Sequence, residues 1–116
     1  MFGINEKKIE KWKQKGNAGK ILKAMRHKDK SIRIAVIKAA SSLAKEEILN
    51  TLIIFLRDDP DPEIRINAAE ALGSIGNPRA QDHLAYVAKN DSDEKVREKA
   101  QEAVRVIISK KLKHDE

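Results

Sequence analysis

DPEIRINAAEALGSIGNPRA, residues 61–80, reads as a helix with both ends marked, followed by the start of another. Asp61 suits an N-cap, where its carboxylate accepts an otherwise unpaired amide of the first turn, and Pro62 fits the first helical position because it has no amide to lose. Ile64, Ala68, Ala71, Leu72 and Ile75 recur at the three- and four-residue spacing of one helical face. Gly76 suits the left-handed conformation that closes a helix, and Asn77-Pro78 suits the cap and start of the next. Small residues in the middle of the stripe let a neighbouring helix approach closely.

The same pattern occurs twice more without gaps, as DKSIRIAVIKAASSL from Asp29 and DEKVREKAQEAVRVI from Asp93, so the period is 32 residues (29, 61, 93). Ile32/Ile64/Val96, Val36/Ala68/Ala100, Ala39/Ala71/Ala103, Ala40/Leu72/Val104 and Leu43/Ile75/Ile107 fall in register. A period of this length marks an array of stacked units, each too small to bury its own apolar face. A shorter amphipathic run precedes each segment: Ala18 to Met25, Glu46 to Leu56 and Pro78 to Ala88. The unit is therefore helix, turn, helix, and Asn5 to Lys15 adds a single helix closed by Gly16-Asn17.

Seven helices are expected in one domain over residues 1–116: an N-terminal cap helix over 1–16, repeat 1 over 17–45, repeat 2 over 46–76, and repeat 3 with the C-terminal end over 77–113. At 116 residues there is room for one continuous core. Aromatics are only 3% of the chain, so that core must be built from Ile, Leu, Val and Ala.

DPEIRINAAEALGSIGNPRA resembles the consensus of the short HEAT-like repeats found widely in bacterial and archaeal proteins, including those of phycobilin-lyase type. The first repeat keeps Asp29, Ile32, Arg33 and Leu43 but reads SSLAKEE where the family has its glycine turn; the third keeps Asp93, Val96 and Arg97 and runs into a lysine-rich end. The resemblance implies an all-α fold, a right-handed α/α superhelix of about three helix pairs plus the N-terminal capping helix. It also implies a ladder of polar contacts along the solenoid, for which Asp29, Arg33, Asp61, Arg65, Asp93 and Arg97 are the matching positions. Some larger relatives are bilin lyases, an activity that the repeats alone do not carry.

Nothing in the sequence assembles a catalytic or metal site. There is no cysteine, so thiolate ligands, a cysteine nucleophile and disulfides are excluded. His27, His83 and His114 are far apart and none belongs to a metal-ligand motif. Asp58-Asp59-Pro60-Asp61 and Asp91-Ser92-Asp93-Glu94 are acidic turns without the glycine and distant glutamate of a calcium loop, and read as helix caps. No glycine-rich phosphate loop or nucleophile elbow occurs. The expectation is a non-enzyme without cofactor or metal. The leading reading is a protein-protein interaction scaffold or adaptor.

Net charge is +6, and its distribution is uneven. Residues 1–28 carry nine Lys and Arg against two Glu, whereas 29–60 are balanced and 61–116 carry ten against eleven. Lys7, Lys8, Lys11 and Lys15 surround Trp12 in the first helix. That patch either contacts a nucleic acid or simply covers the end of the solenoid while keeping it soluble. A nucleic-acid partner at this end, with Lys13, Lys20, Lys23, Arg26 and Lys28 contributing, is the alternative function. A second candidate surface is Ile34 and Ile66, 32 residues apart, bordered by Lys38, Asn67, Glu70 and Arg105. These isoleucines form either an apolar ribbon for a partner helix or part of the core.

The charged N-terminus is unlike a signal peptide, and no stretch approaches a membrane span, so a cytoplasmic protein with no membrane partner is expected. A monomer or weak homodimer completes the expectations.

Overall fold

In a computed structural model, which describes residues 3–115 with side chains through Lys113, almost every helix begins where a side chain takes an unpaired amide. Asn5 accepts the Lys8 amide (3.0 Å) to start α1 (Glu6–Gln14), and Asn17 accepts that of Lys20 (3.1 Å) to start α2 (Ala18–Ala24). Asp29 and Asp61 accept the Ser31 and Glu63 amides, each at 2.9 Å, at the heads of α3 (Lys30–Ala40) and α5 (Pro62–Ile75). Asp93 accepts the Val96 amide (3.0 Å) at the head of α7 (Glu94–Asp115). Only α4 (Glu46–Asp58) among these starts without a capping side chain, after Lys45.

The sixth helix departs from the sequence expectation. Asn77 accepts the Arg79 amide, and Pro78–Ala80 forms a single 3-10 turn before α6 (Gln81–Asn90) begins. Gly76 closes α5 at φ 72°, as its position in the sequence suggested.

Stacking follows the 32-residue period. Helices α1, α3, α5 and α7 lie side by side in one layer, α2, α4 and α6 form the other, and the hairpins α2–α3, α4–α5 and α6–α7 join the two. The result is an all-helical α-solenoid with no strand among the described residues, only 18 Å thick across its shortest axis, as two layers of helices require. No helix of the described residues is long and apolar enough to cross a membrane.

The aligned columns line the interface between the layers. Val36, Ala68 and Ala100 are fully buried, as are Ile64 and Val96, while Ile32 at the first position of the column is half-buried. Ile21, Leu52 and Leu84 meet them from the other layer. Helices α5 and α7 approach closely at Gly73, where a Cβ would stand 3.0 Å from the Ala103 Cβ and 3.1 Å from its Cα. A larger residue would force the two helices apart.

This contact fixes the direction of a whole stripe. Ala69 and Ile66 lie four and seven residues before Gly73 and share its face, which is turned toward the next repeat. The equivalent positions of α7 are Glu98, Gln101 and Arg105, all exposed. On α7 this stripe is polar where on α5 it is apolar.

Candidate functional site

The polar ladder joins the repeats through a residue that the sequence alignment did not single out. Arg65 Nε donates to Asp91 Oδ2 (2.9 Å) and its Nη2 to Oδ1 (3.0 Å), while Nη1 reaches the Asp59 carbonyl (2.8 Å). Arg97 Nη1 donates to the Asp91 carbonyl at 2.6 Å. Asp91 also accepts the Asp93 amide (2.9 Å), so one carboxylate shapes the turn before α7 and holds the guanidinium of α5. Both side chains are enclosed, Arg65 12% and Asp91 8% exposed, and the planar two-bond geometry is the strong form of this pair.

Asp91, Asp59 and His27 occupy one register position, and each accepts the amide of the capping aspartate two residues on. The acidic turns noted in the sequence therefore close helices and join repeats. At the first junction the pattern changes: Arg33 Nε is buried without a hydrogen-bond partner, and Lys30 bridges instead to Asp61 and Glu63, both at 2.8 Å. This bridge holds the Asp61 carboxyl below its ordinary value and raises the Lys30 ammonium, chiefly through the hydrogen bond that the two share. Asp29 is also lowered, chiefly by the Ser31 hydroxyl that donates to it (2.7 Å).

Of the histidines, His27 serves the turn just described and His83 Nδ1 faces Arg57 Nη1 at 3.1 Å. His114 lies outside the residues whose side chains are described.

The structure distributes the second candidate surface over separate grooves. Ile34 and Ile66 are half-buried and pack against the core, Ile66 on the stripe turned toward α7. Lys38 lines a groove between α1 and α3, Glu70 one between α5 and α7, and Arg105 the open end of the last repeat. Asn67 donates to the Glu63 carbonyl of its own helix.

At the N-terminal end, Lys8 and Trp12 of the basic patch line a groove between α1 and α2, whereas Lys7, Lys11 and Lys15 are exposed along α1. Trp12 is half-buried against the core, and the Lys20 ammonium sits 6.0 Å from its ring centroid.

A further surface, on the layer of α2, α4 and α6, escaped the sequence reading. Ile54 and Tyr86 are 49% and 53% exposed, and the Arg57 guanidinium stacks 4.1 Å from the Tyr86 ring centroid. Arg79 ties the same layer together through Glu46 (3.2 Å) and Asn50 (3.4 Å). The signal was present in register: Ile54 falls off the buried stripe of α4, and the single tyrosine stands 32 residues beyond it.

A family model described as HEAT repeats matches residues 18–105, from the first residue of α2 to the middle of α7. A search of the curated proteins gave no match.

Proposed function

The chain belongs to the HEAT-repeat family, and from that membership we propose that it is a non-catalytic scaffold that binds a protein partner on its helical surface. HEAT repeats generally serve as protein-interaction scaffolds. The observation that carries the reading for this chain is the exposed set Ile54, Arg57 and Tyr86 on α4 and α6. Tyrosine and arginine dominate the energetics of protein interfaces, and here they are already stacked, so little freedom is lost when a partner covers them.

The ladder supports the same reading. A surface spanning two repeats works as a template only if the repeats keep their spacing, and Arg57, Arg79 and the Arg65–Asp91 pair each cross from one repeat to the next. The polar stripe of Glu98, Gln101 and Arg105 on α7 supports a monomer over a dimer joined through that face.

A pull-down from native lysate with and without nuclease tests the proposal, comparing the wild type with an Ile54→Asp/Tyr86→Ala variant. A protein partner retained after nuclease and lost in the variant is expected. Recovery of nucleic acid alone, or a partner indifferent to the two substitutions, overturns it.

A further inference from the structure

The groove between α1 and α2 is built from two chemistries. Its floor is Ile4, Trp12 and Ala24, with the two larger side chains half-buried against the core. Its rim is Lys8, Lys20, Lys23 and His27. The groove is open to solvent, with a volume of about 420 Å³.

The one-sided charge comes from how α1 is turned. Ile4, Lys8 and Trp12, four residues apart, face the groove, whereas Glu6 and Glu10 line the opposite groove, against α3. Among the described residues no carboxylate borders the Trp12 side, and none forms an ion pair with Lys20 or Lys23. His27 Nδ1 accepts the Asp29 amide, so its ring proton is on Nε2 and gives the rim another donor.

We infer that this groove docks an acidic amphipathic segment of a protein partner, a bulky apolar residue seating on Trp12 while flanking Glu or Asp side chains pair with Lys20 and Lys23. The complementarity is both apolar and electrostatic: a purely anionic ligand leaves the floor uncovered, and a purely apolar one does nothing for the charges of Lys20 and Lys23. A nucleic acid fits less well. Single-strand binders stack bases on several aromatic faces. Here the lining holds a single aromatic ring and no arginine.

The inference rests on the protein-binding reading but concerns a different surface, so the two are separable. The test uses the full chain and a fluorescein-labelled helical peptide of Glu, Ala and Leu, with anisotropy and the emission of Trp12, the single tryptophan, as readouts. Saturable binding with a shift in Trp12 emission is expected. The affinity should fall about tenfold or more in Lys20→Glu/Lys23→Glu, and also when the peptide leucines become Ala. Lys89→Glu, on α6, should leave it unchanged. Both lysines are exposed, so the variants keep the fold, which circular dichroism checks.

Absence of saturable binding, indifference to the Lys20 and Lys23 changes, or equal affinity of the leucine-free peptide overturns the inference. Binding of an oligothymidylate in preference to the peptide, lost with the same two lysines, overturns it in favour of a nucleic-acid site. Loss of the peptide while a pulled-down partner still depends on Ile54 and Tyr86 removes this groove and leaves the scaffold reading intact.

Discussion

Asp91→Ala removes the carboxylate that takes two hydrogen bonds from Arg65, together with the acceptor that closes the turn before α7. Breaking a buried pair by deleting one partner costs about 3–5 kcal/mol, because the remaining charge is stranded. With 12% and 8% of the two side chains exposed, solvent does little to compensate. Arg65 keeps its bond to the Asp59 carbonyl, which puts the expected loss near the lower end, about 3 kcal/mol. Asp59→Ala is the internal control. It occupies the same register position and loses the same turn, since Asp59 accepts the Asp61 amide, but its carboxylate holds no guanidinium, so about 1 kcal/mol is expected. A chain of this size melts about 4 °C lower for each kcal/mol lost, giving shifts of about 12 °C and about 4 °C. Thermal and urea denaturation of both variants, with an Arg65→Ala/Asp91→Ala cycle, measures these values. Equal losses in the two variants, or no coupling in the cycle, refutes the claim that this pair joins the second and third repeats.

Gly73→Ala places a Cβ 3.0 Å from Ala103 and should cost about 1–3 kcal/mol in urea denaturation, despite the better helix propensity of alanine. A second change, Ala103→Gly, should recover part of the loss. The Asp61 carboxyl is held below its ordinary value of 3.8 in the folded state, so its contribution to stability is present above that pH and lost as pH falls through the lowered value. Urea titrations between about pH 4 and about pH 2 should show a shallower decline in Lys30→Met than in the wild type. Finally, Glu98→Ile with Gln101→Ala and Arg105→Gly gives the last helix the forward face of α5. Sedimentation should then show more concentration-dependent association than in the wild type, since the change leaves an apolar face uncovered.

The architecture was legible because each repeat writes it independently. Asp29, Asp61 and Asp93 mark three helix starts, Gly76 marks an end, and the apolar columns between them have one helical phase. Ile34 and Ile66 were ambiguous because they sit at the edge of that phase, where a turn of one position decides between groove and core. Their meaning emerges only from the packing, in which both are half-buried while Glu98, the third member of the series, is exposed.

Asp91 was missed for a different reason. It stands before the aligned block, and an acid in a turn reads as a cap whether or not an arginine from another repeat reaches it. The basic end was visible as composition along α1, but the groove needs Lys20, Lys23 and His27 from α2 and its loop, which only the packing of the two helices brings beside Trp12. Ile54 and Tyr86 were overlooked because an apolar residue outside a buried stripe is unremarkable singly and informative only as a pair.

The helix contacts have a kinetic consequence. Each substantial contact joins elements one or two apart in the chain, and none of these brings the first helix against the last. Closing a loop of about one repeat is enough to gain the first inter-helical contacts, so the entropy lost before any burial is gained stays small. Helix α5, which touches α3, α4 and α7, is the natural point from which order spreads in both directions. Refolding should therefore be rapid for a chain of this length, in the microsecond-to-millisecond range of proteins whose contacts are local, with no slow phase from long-range pairing. Duplicating residues 61–92 as an inserted unit should lengthen the solenoid without slowing that first step.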